Sequence, residues 1–211
     1  MNSPCVHIRK YRKLYFLLRR IINKFWSIWN LLRLQIFGCE IGNHCVIHGH
    51  LGLSLSPYGR VLIGKCFYMS NGMHINPLCA NNEGHIHVED SASLVIGDNV
   101  AISSTRIWCT KHIQIKDNVK IGGGCIIIDT DAHSMDFHNR REIKSDNANK
   151  RDEPVIIGHD VFVGMNTIIL KGVEIGDRCI IGAGSVVTKS IPSDYVAAGN
   201  PAKVIRKINQ Q

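Results

Sequence analysis

Aliphatic residues recur at every sixth position through the second half of the chain. The series runs Ile157, Val163, Ile169, Ile175, Ile181 and Val187, and Gly follows directly at four of the six places. Neither the helical period of 3.6 nor the strand period of 2 produces a strict six-residue repeat over this length. A chain that turns a corner every six residues would point one large side chain inward on each of three faces, and its coils would stack. The pattern therefore predicts a three-sided parallel β-helix.

The repeat extends upstream with shifts of phase. Its earlier members are Ile96 and Ile102, then Cys109, Ile115, Ile121 and Ile127, with traces at Ile41, Ile47 and Ile63. Residues 48–90 carry Gly, Pro, His and Asn in no clean phase. A β-sandwich, the alternative for short Ile- and Val-rich strands, would not keep a six-residue phase. We expect the coil to cover residues 38–192, followed by a C-terminal tail over 193–211.

The first 37 residues follow a helical pattern instead. Apolar residues lie on one side at helical spacings: Leu14, Leu17, Leu18, Ile21, Ile22, Phe25, Trp29, Leu32 and Ile36. The opposite side carries Arg20, Lys24, Ser27 and Asn30. Residues 1–37 are thus predicted to form a basic amphipathic helix. Two interpretations stay open: a membrane-surface anchor attracted to anionic lipid, or a helix packed on the end of the coil or on a neighbouring subunit.

Positive charge is concentrated in that helix. Of the 25 Lys and Arg residues, eight precede the first acid, Glu40, so the remaining 17 equal the 17 Asp and Glu. A nucleic-acid-binding surface would be basic elsewhere too, so no nucleic acid partner is expected. No apolar run approaches the ~20 residues needed to span a bilayer, and the N-terminus lacks a signal-peptide pattern. These features favour a cytoplasmic protein.

The eight cysteines do not form a disulfide framework, because they are scattered without a CxxC pair. Cys45, Cys125 and Cys179 each follow an Ile-Gly pair at the same offset, which indicates a repeated position for a small residue. We expect them to be buried free thiols in a reducing compartment.

The repeat is interrupted once by a long polar segment. After the run Ile126–Ile128 comes the sequence DTDAH over 129–133, and residues 134–154 then carry ten charged residues. This segment is predicted to be an exposed loop ejected from the coil, and loops of this length in a compact fold are usually functional. His133 lies at the root of the loop, and an imidazole there could act as a general base near neutral pH. Asp129 or Asp131 could orient its ring or bind an acceptor.

Several segments resemble the hexapeptide-repeat acyltransferases, whose fold is a left-handed parallel β-helix. They include DTDAHS, the charged loop, the stretch IIGHDVFVGMNTIILKGVEIGDRCIIGAGSVVTKSIP and the ending AAGNPAKVIRKI, over residues 95–207. The resemblance is strongest to sugar O-acetyltransferases of the galactoside, maltose and nodulation-factor type and to polysaccharide O-acetyltransferases. It implies transfer of an acetyl group from acetyl-CoA to a sugar hydroxyl, with His133 as the base. It also implies a homotrimer with substrate sites between subunits, and no metal.

The same resemblance implies contacts with coenzyme A. Ala183, Thr188 and Lys189 match positions that contact the coenzyme, and Lys203 and Arg206 match basic residues near its phosphates. Separately, Met165 and Ala183 are 18 residues apart, so they are expected to stack on successive coils and to line a groove for the pantetheine arm.

Two positions depart from the family pattern near that groove. Phe162 stands where the family usually has Trp, so an aromatic face remains without the indole N–H donor. Phe162, Gly164 and Met165 are expected to contact the acetyl donor, although Met165 replaces a small residue.

Other functions remain as alternatives. Amino-sugar N-acetyltransferases and streptogramin-type antibiotic acetyltransferases share the fold and the histidine. A γ-type carbonic anhydrase shares the β-helix, and His133 and His138 could be zinc ligands. That family needs a third His about two coils earlier, where VIGDNV stands. A non-catalytic scaffold is opposed by the His133 loop and by the coenzyme A tail.

Overall fold

The computed structural model describes residues 4–79 and 83–208, which form one long helix followed by a three-sided parallel β-helix. The predicted fold class, a left-handed parallel β-helix with an N-terminal helix and an ejected loop, is confirmed. The helix α1 spans Pro4–Ile36. Within the described ranges, no helix is both long and apolar enough to cross a membrane.

Three sheets form the sides of the coil. The first contains β1 (Glu40–Ile41), β4 (Arg60–Ile63), β7 (Ser93–Ile96), β10 (His112–Ile115), β13 (Val155–Ile157) and β16 (Glu174–Ile175). The second contains β2 (Val46–His48), β5 (Tyr68–Ser70), β8 (Ala101–Ser103), β11 (Lys120–Ile121), β14 (Phe162–Val163), β17 (Ile180–Ile181), β19 (Tyr195–Gly199) and β20 (Ala202–Lys207). The third contains β3 (Gly52–Leu55), β6 (His85–Val88), β9 (Arg106–Cys109), β12 (Ile126–Ile128), β15 (Ile168–Ile169) and β18 (Val186–Val187).

Parallel pairing stacks equivalent aliphatic residues along the coil axis. In the first sheet Ile115 pairs with Ile157 and Ile157 with Ile175. All six residues of the series from 157 to 187 are 0% exposed. The six-residue period therefore reflects one inward side chain per face, and stacking the coils converts these side chains into a continuous apolar core.

The N-terminal coils are as regular in pairing as the later ones, although their sequence shows no clean phase. Ile41 pairs with Ile63, and Ile63 pairs with Ile96. The phase is lost because extra residues sit at the corners, above all the segment 71–84 between β5 and β6, which includes a 3₁₀ turn at Pro77–Cys79. The insertions change the spacing along the chain without disturbing the sheets.

The predicted thiol positions are confirmed as buried and unpaired. Each lies at a corner and donates to a carbonyl there: Cys125 Sγ to Gly164 O at 3.2 Å and Cys179 Sγ to Pro192 O at 3.0 Å. On later coils Thr167 and Ser185 take the equivalent place and donate to Gly164 O at 2.8 Å and Gly182 O at 2.6 Å. The position requires a small side chain that can donate a hydrogen bond to the corner.

Helix α1 closes the N-terminal end of the coil with its polar side. The backbone groups of β2 point along the coil axis and have no earlier coil to pair with. Ser27 Oγ accepts from Ile47 N–H at 3.1 Å, and Asn30 Nδ2 donates to Gly49 O at 2.7 Å. Arg33 Nη1 donates to Leu51 O at 2.9 Å. The helix thus replaces the missing coil as a hydrogen-bonding partner.

Candidate active site

The loop over residues 129–154 leaves the coil between β12 and β13, at the corner where the third sheet turns into the first. We call this corner the third-to-first edge. Backbone hydrogen bonds close its root: Asp131 N–H donates to Arg151 O at 3.0 Å, and Glu153 N–H donates to Asp129 O at 2.9 Å. Beyond the root the loop is partly helical, with a 3₁₀ turn at Asn139–Arg141 and the helix α2 at Ile143–Asn149. The closed root and α2 return the chain onto its own beginning.

This return brings a carboxylate to the predicted base. Asp146 Oδ2 lies 2.6 Å from His133 Nδ1. The Asp146 side chain is 11% exposed and the His133 side chain is 70% exposed. An ionised carboxylate can only accept, so the neutral ring carries its proton on Nδ1 and presents the lone pair of Nε2 to solvent. That is the arrangement a general base requires.

The loop also fixes the carboxylate itself. Asp146 Oδ1 accepts the backbone N–H of Ser134 at 2.7 Å. Arg140 Nη1 donates to Ser134 O at 2.6 Å and to Met135 O at 2.9 Å, which ties the segment after His133 to the 3₁₀ turn. The hydrogen bond from His133, followed by that from Ser134, lowers the pKa of Asp146 below its usual value of 3.8. Asp146 is therefore ionised at neutral pH.

The assignment of Asp129 as an orienting or acceptor-binding residue was wrong. Its carboxylate is 0% exposed. It accepts from Thr110 N–H at 2.7 Å, and from Lys111 N–H and His112 N–H at 2.8 Å each. It satisfies the backbone of the preceding corner, so no oxygen is left for the imidazole or for an acceptor. The sequence could not show this, because the three donors lie on another coil.

Asp131 does not orient the imidazole either. Its carboxylate lies 3.5 Å from Lys171 Nζ, on the next coil at the same edge. The orienting residue is Asp146, which sequence reasoning missed because it lies 13 residues from His133 inside a segment interpreted as an irregular loop. A role of Asp131 in binding an acceptor stays a prediction.

Most of the residues predicted to bind the coenzyme lie on one side of the molecule. Phe162 is on β14 of the second sheet and is half exposed. Gly164, Met165 and Ala183 follow at the corner where the second sheet turns into the third, which we call the second-to-third edge. A Cβ at Gly164 would meet the backbone of Ala183, so the two stack closely. Lys203 and Arg206 are exposed on β20, which extends the second sheet beyond the last coil.

Two of the predicted coenzyme residues lie elsewhere. Thr188 and Lys189 follow β18 of the third sheet and are exposed on the third-to-first edge. This is the edge from which His133 projects. Within one chain, His133 and the stacked pair Met165 and Ala183 therefore lie on different edges of the prism.

Comparison with known proteins identifies the family of this chain. Residues 154–189 match the model for the hexapeptide repeat of succinyl-transferase. A Staphylococcus aureus (strain COL) protein named as an acetyltransferase is 40% identical over an alignment of 167 residues, and the match covers 68% of this chain and 77% of that protein. The chain belongs to the hexapeptide-repeat acetyltransferases.

Other members of the family are also similar. Galactoside O-acetyltransferase of Escherichia coli (strain K12) is 36% identical over 126 residues, and the match spans 59% of this chain and 62% of that enzyme. The crystal structure of a hexapeptide-repeat acetyltransferase from Vibrio cholerae, complexed with acetyl coenzyme A, superposes with a TM-score of 0.56 at 22% identity. The match covers 100% of this chain and 93% of that one. At this identity the likeness concerns the fold.

A second surface of this acetyltransferase adjoins the loop and was not foreseen from the sequence. His85, His87, Trp108, Ile126 and Ile128 are among the residues that line an open cavity of about 390 Å³ on the outer face of the third sheet. Trp108 Nε1 donates to Glu89 Oε1 at 3.2 Å. Glu89 Oε2 lies 3.3 Å from Nζ of Lys150 in the loop, so the cavity is joined to the loop by an ion pair.

The zinc-enzyme alternative finds no support in the donor arrangement. Among the side chains that the structure describes, no three of His, Cys, Asp or Glu converge as a ligand set. His138 stacks on Phe137, with ring centroids 3.9 Å apart.

Proposed function

We propose that this chain is an acetyl-CoA-dependent O-acetyltransferase that modifies a sugar hydroxyl, with His133 as the general base. The observation that carries the proposal is the pairing of His133 with Asp146 at the root of the ejected loop. The ring is held through Nδ1 at 2.6 Å, while the side chain stays 70% exposed, so Nε2 is free to meet an acceptor. No metal is needed for this chemistry.

The proposed reaction is a direct transfer between two bound substrates. Nε2 of His133 takes the proton of the acceptor hydroxyl as the oxygen attacks the thioester carbonyl. A backbone N–H in the groove stabilises the charge that develops on the carbonyl oxygen. The carbon–sulfur bond then breaks, and the protonated ring returns its proton to the departing thiolate. The cysteines that the structure describes are buried apart from Cys66, and buried thiols are poor nucleophiles, which argues against an acyl-enzyme intermediate.

The distribution of the predicted residues favours sites between subunits of a homotrimer. His133 with Thr188 and Lys189 lies on the third-to-first edge, and Met165 with Ala183 lies on the second-to-third edge. A thioester bound along Met165 and Ala183 would therefore meet the His133 loop of a neighbouring copy rather than that of its own chain. A partly exposed apolar strip on the third sheet, formed by outward side chains of β12, β15 and β18, offers a surface for such packing.

A saccharide acceptor is supported by the relative of known specificity. That protein is named galactoside O-acetyltransferase and is 36% identical to this chain. We infer that the acceptor is part of a cell-surface polysaccharide, a lipid-linked saccharide or a precursor of either, modified in the cytoplasm. Transfer to an amino sugar or to a streptogramin-type antibiotic would use the same histidine.

The test combines an acceptor screen with a pair of histidine variants. Purified protein is incubated with acetyl-CoA and sugars, amino sugars, lipid-linked saccharides and a streptogramin, and mass spectrometry detects acetylated products. An ester is cleaved by mild base and an amide is not, which separates O- from N-acetylation. If none of the saccharides is acetylated, the proposed acceptor class is wrong.

Two substitutions in the loop then test the base. His133→Ala is expected to lower kcat about 10²–10⁴-fold while calorimetry shows acetyl-CoA binding unchanged. His138→Ala is the matched control, since it removes an exposed imidazole from the same loop, and it should retain turnover. Near-normal turnover of His133→Ala would remove this residue from the role of base.

A further inference from the structure

Helix α1 attaches to the coil through the side of the helix that carries its polar residues. Asn30 is 0% exposed and Ser27 is 9% exposed, and both bond to the backbone of β2 and the corner that follows it. Because strand backbone groups point along the coil axis, the helix covers the end of the prism and its opposite side faces away from the protein along that axis.

The side that faces away is apolar from Tyr11 to Ile36. Large hydrophobic residues there are 44–73% exposed: Tyr11, Leu14, Leu17, Ile21, Phe25, Ile28, Trp29, Leu32 and Ile36. Phe37, just after the helix, is 52% exposed. An exposed apolar surface of this extent marks a site of contact with a membrane or with another macromolecule.

Basic residues flank this face. Lys13, Arg20 and Lys24 are exposed and lie seven and four residues apart, which places them along one border of the apolar face. Lys10 and Arg12 are exposed near the start of the helix. Residues 10–39 contain no acidic residue, so the border is uniformly positive. A second copy of this face would repel the first along that border, whereas an anionic lipid surface would complement it.

We propose that helix α1 binds an anionic membrane surface, lying in the plane of the interface with its apolar face in the lipid. The polar side remains bonded to the coil, so the β-helix stands on the membrane with its axis roughly along the membrane normal. Aromatic residues such as Tyr11, Phe25 and Trp29 suit the boundary between headgroups and acyl chains. Because the helix is hydrogen-bonded to the first coil, the distance between the active-site loop and the lipid surface is fixed. This inference does not depend on the identity of the acceptor.

The experiment measures sedimentation of the full-length protein with vesicles. Vesicles of phosphatidylglycerol mixed with phosphatidylcholine are compared with vesicles of phosphatidylcholine alone. The wild-type protein is expected to bind the anionic vesicles and to dissociate progressively as salt screens the basic border. The double variant Arg20→Glu with Lys24→Glu is expected to bind at least about 30-fold more weakly, from the attraction of two charges to an anionic surface.

A matched pair of substitutions tests the apolar face. Phe25→Glu places a carboxylate on the exposed face of α1 and should abolish binding, whereas Tyr58→Glu does the same at an 80% exposed aromatic residue on a corner of the coil and should leave binding intact. Both side chains lie outside the core, and circular dichroism checks the fold. If anionic vesicles fail to retain the wild-type protein, or retain Phe25→Glu equally well, the proposal is wrong. A drop in the oligomeric mass of Phe25→Glu, measured by analytical ultracentrifugation, would instead assign the face to a subunit contact and would also overturn it.

Discussion

Replacing Asp146 by asparagine changes one atom next to His133 and should remove most of the activity. The carboxylate accepts two hydrogen bonds, from His133 Nδ1 at 2.6 Å and from Ser134 N–H at 2.7 Å. Asparagine has a single acceptor oxygen. If that oxygen keeps the Ser134 N–H, the amide NH₂ faces Nδ1, which must then accept, and the ring proton moves to Nε2. The lone pair that would take the acceptor proton is lost.

The expected loss of activity follows from the contribution of the His133–Asp146 pair to the rate. A positioned base contributes about 10²–10⁴-fold to the rate, and the wrong tautomer removes nearly all of this contribution. Asp146→Asn is therefore expected to lower kcat about 10²–10⁴-fold and to leave the KM for acetyl-CoA nearly unchanged, because Asp146 is bonded to His133 and Ser134 and to none of the predicted coenzyme residues. Asp146→Ala leaves the ring free to adopt either tautomer and should retain more activity than Asp146→Asn.

The assay is steady-state release of coenzyme A together with acid unfolding. Asp136→Asn is the control, since Asp136 is exposed on the same loop and accepts from His138 N–H rather than from His133. The pKa of Asp146 is lowered in the folded protein, so its contribution to stability is present above its usual value of 3.8 and is lost as the pH falls through the lower folded value. The stability difference between the wild type and Asp146→Asn should thus start to shrink as the pH falls below 3.8 and vanish only once the pH is below the lower pKa of the folded protein. Equal kcat values for Asp146→Asn and Asp136→Asn would refute the positioning role.

Three further predictions concern the fold. Ser27→Ala leaves the buried N–H of Ile47 without its acceptor and should lower the free energy of unfolding by about 1–3 kcal/mol, as measured in urea; an unchanged midpoint would contradict the capping role. Ile127→Ala, at a 0% exposed position, should cost about 2–5 kcal/mol, whereas Ile205→Ala, at a 63% exposed position, should cost under about 0.5 kcal/mol in the same titration. Burial raises the pKa of Cys125 to about 11 and raises that of Cys109 as well. Among the seven cysteines that the structure describes, exposed Cys66 should therefore alkylate first, with mass spectrometry after partial labelling as the readout.

In the candidate active site, the sequence was sufficient to identify His133 but not the carboxylate that contacts it, and the difference has a physical cause. The position of His133 at the loop root follows from local signals, the end of the aliphatic series and the start of a charged segment, and its role as base could be proposed from the resemblance to the acyltransferases. The identity of its partner could not, because Asp146 reaches the ring only after α2 folds the loop back over its own root. Asp129 was equally suitable in sequence, yet its carboxylate accepts four hydrogen bonds from Thr110, Lys111 and His112 on the preceding coil.

The six-residue spacing of Ile and Val was enough to establish the coil, because one inward side chain per face is a local requirement that every repeat must meet. The amphipathic character of α1 was equally visible, since helical periodicity is also local. The sequence did not show which side of α1 contacts the coil. The unpaired backbone groups of the first coil bind polar side chains of the helix, so the apolar side faces outward. The sequence also did not show that His133 lies on a different edge from Met165 and Ala183. The edge of a residue depends on which strand precedes it, and insertions at the corners make the strands hard to count from the sequence alone.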